Sequence, residues 1–401
     1  MKKKPGHISS SCVKQIHEVP TQGSHVLPLY ATSSFEFSGI EESIEIFTQK
    51  KDGFVYSRYR NPTVEQVADT ICKMEMYDLD EEGFGLMTAS GMSAIHTLIS
   101  SVLESGETVL TQRDLYGGTT ELFKKVLNRS GINTIFGDLN DGAWVEEKLK
   151  SDKRIKLVYF ETPANPTMHC IDIAQLCRIS AAQGVLTCVD NTFCTPILQR
   201  PLSLGADFVI HSTTKYLNGH GNSIAGAIIG KDEKWKQQVW TTLKLSGAIC
   251  SPWEAWLVYN GIKTLHLRME RHSSNGLSLA RWLQSHHKVS HVNYCGLENN
   301  VSFSIASKQM SDFGGMLSFA IDSDLNRTLK FIDALQFCTH APTLGDVDTL
   351  VLHPATSSHL NVDRDVRISQ GITDNLIRVS VGIENIEDII EDFSQAFKNI
   401  D

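Results

Sequence analysis

The chain of 401 residues is 41% hydrophobic and 21% charged and carries a net charge of −9. That balance describes a globular chain with room for a sizeable core and more than one domain. It argues against a nucleic-acid surface, because clustered Lys and Arg occur only in the short Lys2-Lys3-Lys4 start, read as a solvated tail. No run reaches the ~18 apolar residues that a membrane helix needs and nothing resembles a signal peptide, so a cytoplasmic protein is expected. Nine cysteines without a CxxC pair argue against a disulfide framework and a thiolate metal site, and leave them as small buried hydrophobes. The fifteen histidines show no HExxH or paired spacing, so no metal is assigned.

Residues 1–60 lack sustained periodicity but hold Phe35, Phe37, Phe47, Phe54, Tyr56 and Tyr59. So aromatic an arm is expected to pack on another subunit. From Pro62 a helix follows, with Thr63 and Gln66 at capping-box spacing. Strand and helix patterns then alternate: strands at 84–88, 107–110, 132–136, 155–160, 185–189, 208–210 and 224–229, and helices at 92–103, 117–128 and 173–182. This rhythm predicts an α/β domain with a mainly parallel sheet over residues 61–260. One long helix over 252–285 leads out of it into a smaller C-terminal α+β domain, residues 261–401, with strands at 316–321 and 376–381 and helices at 326–335 and 386–397.

Two of the strands end in polar chemistry, Asp190-Asn191-Thr192 and His211-Ser212-Thr213-Thr214-Lys215, and the carboxyl ends of parallel strands are where α/β enzymes build sites. An amine that forms Schiff bases suits pyridoxal 5'-phosphate, whose ring nitrogen needs an acidic partner to act as an electron sink. Lys215 would carry the cofactor and Asp190 would hold its ring nitrogen protonated. Ser212 and Thr214 offer hydroxyls to its phosphate. Ser90-Gly91-Met92 lies where a strand hands over to a helix, whose free backbone N–H groups also suit a phosphate. The guanidinium of Arg58 matches the same anion. Tyr116 precedes Gly117-Gly118, a loop that lets a ring lie flat on a planar ligand. Arg378 falls inside an apolar strand, where its charge needs an anion, either an internal carboxylate or a substrate carboxylate.

The segments YSRYRNPT (56–63), SGM (90–92), LYGGT (115–119), ETPANPT (161–167), VDNTF (189–193), HSTTKYLNGHGN (211–222) and RVSVGIE (378–384) occur in order. Together they closely resemble the cysteine/methionine-metabolism family of PLP enzymes: methionine γ-lyases, cystathionine lyases and synthases, and O-acylhomoserine sulfhydrylases. The resemblance spans nearly the whole chain and implies a fold type I PLP-dependent transferase-like architecture. It implies that Tyr56 and Arg58 reach the cofactor phosphate of a neighbouring subunit, within a homotetramer built from dimers that share active sites. It further implies that Tyr116 stacks on the pyridine ring and moves protons, that Asn165 bonds the ring hydroxyl, and that Arg378, helped by Thr343, binds the α-carboxylate of an amino-acid substrate. Gly118 stands where methionine γ-lyases carry a cysteine, and Pro342 where cystathionine γ-enzymes carry a glutamate. The expected activity is a carbon–sulfur lyase of the methionine γ-lyase type, with a cystathionine lyase or an O-acylhomoserine-dependent transferase as the alternative.

Overall fold

The computed structural model describes residues 5–14, 23–360 and 362–400; the Lys2-Lys3-Lys4 start lies outside them. Seven strands form the larger sheet: β1 Phe84–Thr88, β2 Thr108–Gln112, β3 Asn133–Gly137, β4 Ile155–Glu161, β5 Leu186–Asp190, β6 Phe208–His211 and β7 Gly226–Gly230. Their order is β1-β7-β6-β5-β4-β2-β3. All neighbours from β6 to β3 are parallel, and β7 runs antiparallel to both β1 and β6. The fold is therefore mixed α/β with a mostly parallel large sheet, plus a second sheet of five strands.

Alternation along the strands divides the core into two layers. Leu157 and Tyr159, Cys188, Phe208 and Ile210 pack on the face covered by the helix Gly91–Val102, among Ala94, Ile95 and Leu98. Val158 and Phe160, Val189 and Val209 pack on the face covered by the helix Pro62–Glu75, among Val67, Ala68 and Ile71. Carried one residue past the strand ends, the same alternation sends Asp190 and Ser212 to the first face and Asn191 and His211 to the second.

The smaller sheet contains β8 Val289–Asn293, β9 Met316–Ile321, β10 Thr339–His340, β11 Leu350–Leu352 and β12 Leu376–Ser380, in the order β10-β11-β12-β9-β8. Its core of Leu317, Phe319, Val379 and Ile377 closes against Phe393 and Phe397 of the terminal helix Ile386–Lys398. Its loops also reach the larger sheet, where Val347 N donates to Gly219 O at 3.1 Å.

Several expectations change in detail. The helix at Pro62 is capped by Asn61, whose side chain accepts from Thr63 N at 3.0 Å, and not by Thr63. Thr63 Oγ1 instead donates to Pro28 O and accepts from Tyr30 N, tying the arm to the helix. The helix expected over 117–128 is one α turn followed by a π segment, Leu122–Leu127. The long helix over 252–285 is two, Pro252–Ile262 and Leu265–Ser285, because the carbonyl of Gly261 is drawn to Arg268 Nη2 at 2.7 Å and leaves the helical ladder. Ile224 is exposed and precedes β7. Strands β8, β10 and β11 and the helices 142–151 and 236–246 were not anticipated; β10 is two residues long, and the helices are only weakly amphipathic. All nine cysteines are buried and free. Among the described residues no helix is long and apolar enough to cross a membrane.

Candidate active site

Lys215 sits in the turn after β6, with its ammonium nitrogen 2.9 Å from Thr343 Oγ1. Burial, and then the positive charge of Arg378, lower its pKa to about 8. Arg378 is almost fully buried in β12. Its Nη2 donates to Thr343 O at 2.7 Å, while Nε has no partner among the described residues. Of the two anions that the sequence left open, no internal carboxylate among the described residues is bonded to it, and burial holds its pKa down to about 10. An unsatisfied buried donor costs ~1–3 kcal/mol, so this side chain is built to receive an acceptor. Thr343 therefore joins the amine to the guanidinium, hydroxyl to one and carbonyl to the other.

Asp190 ends β5 in register with Glu161 of β4. Its Oδ1 accepts from Thr192 N at 3.1 Å and its Oδ2 from the hydroxyl of Tyr159 at 3.2 Å. Burial pushes its carboxyl above the usual range. Burial and the nearby Asp190 push Glu161 well above it as well. Two adjacent carboxyls, Glu161 buried and Asp190 half-buried, call for a cation or a shared proton between them and the site. Glu161 also receives the backbone N–H of Tyr116. That bond fixes the loop of Tyr116, whose side chain stays 44% exposed and free to meet a ligand. The ring lies over Gly118, where a Cβ would stand 2.6 Å from Tyr116 Cε1; a larger residue at 118 would displace the ring. Asn165 is buried in the bend that follows Glu161.

At the other end of the rim, Ser90 caps the helix Gly91–Val102. Its Oγ accepts from Ser93 N at 3.1 Å, and Ser93 Oγ answers Ser90 N at 3.0 Å. The N–H groups of Gly91 and Met92, in the first turn, have no helical acceptor. A Cβ on Gly91 would stand 2.7 Å from Ser212 Cβ, so this glycine lets the helix start close on the lysine turn. Ser212 Oγ has no partner among the described residues. Thr214 differs: its hydroxyl donates to Ala225 O at 3.2 Å and accepts from Ala225 N at 3.1 Å, so its proton is already committed inside the chain.

Tyr56 and Arg58 are not bonded to this rim within the single chain. Arg58 Nη1 donates to Lys244 O at 2.9 Å and its guanidinium lies over the rings of Tyr59 and Tyr56. Trp240 Nε1 donates to Tyr59 O at 2.9 Å and completes the attachment. Sequence reasoning missed Tyr159, Glu161 and Thr192 as carboxylate neighbours; the one signal was that Glu161 opens the ETPANPT segment beside a strand end.

The rim suits a phosphorylated, nitrogenous planar ligand: first-turn N–H groups beside Ser212, an adjacent carboxyl pair awaiting a cation, a flanking ring and a part-neutral amine. The family model described as Cys/Met metabolism PLP-dependent enzyme matches residues 9–398. The chain is 40% identical over 380 residues to an L-methionine gamma-lyase of Fusobacterium nucleatum subsp. nucleatum, covering 94% of each chain. It is also 40% identical over 374 residues to an O-succinylhomoserine sulfhydrylase of Pseudomonas aeruginosa, covering 93% of this chain and 91% of that one. Among solved structures, a cystathionine gamma-lyase from Lactobacillus plantarum complexed with L-serine superposes with a TM-score of 0.90 at 34% identity, covering 98% of this chain and 99% of that one.

Proposed function

The chain belongs to the Cys/Met-metabolism PLP-dependent enzymes, and within that family we propose that it is a carbon–sulfur lyase of the methionine γ-lyase type, releasing a thiol, 2-oxobutanoate and ammonia. The observation that carries the reading is the Thr343 junction, which sets a part-neutral amine beside a buried guanidinium that lacks an anion. Bound pyridoxal phosphate supplies an electron sink that acidifies the hydrogens near the amino-bearing carbon of an attached amino acid.

The chain's own groups do the rest. Lys215 holds the cofactor and then, as a neutral amine, takes the α proton at Nζ. Arg378 grips the α-carboxylate in a two-pronged contact, with Thr343 keeping guanidinium and amine at fixed separation. Asp190 holds a proton on the ring nitrogen, its charge secured by Thr192 and Tyr159. Tyr116 moves a proton to the departing sulfur. Ser90, Gly91, Met92 and Ser212 hold the phosphate, and Asn165 the ring hydroxyl.

The arm, residues 1–60, brings Tyr56 and Arg58 to a neighbour's site, so the working unit is at least a site-sharing dimer, and in our reading two such dimers assemble into a homotetramer. In our reading residues 61–260 form the cofactor domain and 261–401 the C-terminal domain, and the enzyme works in the cytoplasm.

A second reading, thiol capture onto an O-acylhomoserine, is favoured by the equal identity to the sulfhydrylase. Methionine, homocysteine, cystathionine and O-succinylhomoserine, each with and without added thiol, separate the two. Ammonia and 2-oxo acid from methionine without thiol support the lyase; thioether formation from O-succinylhomoserine with no ammonia from methionine overturns it.

A further inference from the structure

Glu75 is the last residue of the helix Pro62–Glu75 and is completely buried. One of its oxygens, Oε1, receives two hydrogen bonds: Asn191 Nδ2 at 2.8 Å and His211 Nε2 at 2.7 Å. With Glu75 as the acceptor, the hydrogen of His211 sits on Nε2, and Nδ1 has no partner among the described residues. Its other oxygen, Oε2, has no partner among the described residues.

The two residues it holds are next in sequence to the cofactor rim. Asn191 follows Asp190, and His211 precedes Ser212 by one position and Lys215 by four. They project to the helix-covered face opposite Asp190 and Ser212, on adjacent strands joined by Asn191 N to Ile210 O at 2.9 Å. The network runs on from there. Asn191 Nδ2 also donates to Gln199 O at 2.8 Å, and Gln199 Nε2 donates to Asn191 Oδ1 and to Thr162 O, each at 3.1 Å. Thr162 lies between Glu161 and the bend of Asn165.

A buried carboxyl is costly to keep, and a helix end needs only a cap, so helix stability alone does not account for this one. What the bonds accomplish is to pin the ends of β4, β5 and β6 from behind, each next to a residue aimed at the cofactor. From this we infer that Glu75 is a positioning residue: acting through His211 and Asn191, it sets the angle at which Asp190 and Lys215 face the cofactor. The inference rests on the cofactor-binding reading of the rim, not on the choice of sulfur substrate.

The test compares holoenzymes carrying Glu75→Leu and Glu75→Gln. Leucine keeps the approximate volume and removes the acceptor; glutamine keeps a carbonyl acceptor for both donors. Each is loaded with pyridoxal phosphate, normalised to bound cofactor, and measured for visible circular dichroism of the cofactor band, cofactor affinity, kcat and KM. The expected result for E75L is altered visible dichroism, cofactor affinity weakened ~10-fold or more and kcat lowered ~30-fold or more with KM within ~3-fold. E75Q should recover the dichroism and most of the rate. E75L with wild-type dichroism, affinity and kcat per bound cofactor overturns the inference, even if its melting temperature falls, because that is the pattern of a purely structural residue. Should E75L not accumulate folded, His211→Leu against His211→Gln decides on the same readouts: an H211L holoenzyme with wild-type dichroism and kcat overturns it. A wild type that binds the cofactor but degrades no sulfur amino acid fails the lyase reading alone, since the dichroism still decides the role of Glu75.

Discussion

Lys215 and Arg378 meet on a single residue: Thr343 takes the amine on its hydroxyl at 2.9 Å and the guanidinium on its carbonyl at 2.7 Å. Burial, and after it the repulsion between these two cations, lowers the pKa of the amine to about 8. At pH 7 about one lysine in ten is then neutral, against about one in three thousand at the ordinary value.

Apoenzyme should therefore capture pyridoxal phosphate at a rate that rises with pH through a midpoint near 8. The direction follows from the neutral amine being the reactive form. A midpoint near 10.5 by stopped-flow absorbance would mean that Lys215 is an ordinary surface lysine. Lys215→Ala should retain no cofactor by mass after borohydride treatment, whereas the wild type does.

Replacing Arg378 by Ala should act twice. The KM for an amino acid should rise ~100-fold, in line with a lost buried charge-assisted pair of ~3 kcal/mol, and the capture midpoint should move up as the neighbouring positive charge disappears. Steady-state kinetics and the same stopped-flow titration read the two effects separately. An unchanged KM would remove Arg378 from the substrate.

Asp190→Ala should lower kcat at least 100-fold while the protein still folds, because it removes the charge that holds a proton on the ring nitrogen. A rate within ~5-fold of wild type, per bound cofactor, would show that the electron sink works without it.

Arg58→Ala mixed and reassembled with Lys215→Ala should regain part of the activity that both lack alone, because some hybrid sites draw one intact residue from each chain. Hybrid formation is checked by native mass spectrometry. Hybrids without activity would assign both residues to the site of their own subunit.

The order of strands and helices was readable because β-branched runs and turn glycines recur at βαβ spacing, and Lys215 and Asp190 stood out because their strands end in polar residues. Arg378 was readable as a charge in an apolar strand. Glu75 was not: it closes a helix like many surface glutamates, and only the fold turns it inward against Asn191 and His211. The break at Gly261 was hidden for a similar reason, since Arg268 captures a carbonyl seven residues away that no periodicity marks. The reversal of β7 escaped because an apolar run carries no sign of its direction.

The lysine turn is also fastened to the smaller sheet, by Thr343 to Lys215 and by Val347 N to Gly219 O, while Arg268 of the connecting helix holds Tyr216 O at 2.7 Å. A displacement of one sheet against the other therefore strains the contacts of the lysine turn itself. The two sheets are joined elsewhere as well, by Ser318 Oγ to Pro166 O at 2.8 Å, and the Ser358 carbonyl abuts Gly117. The spacing of amine and guanidinium is thereby tied to how the two sheets pack against each other.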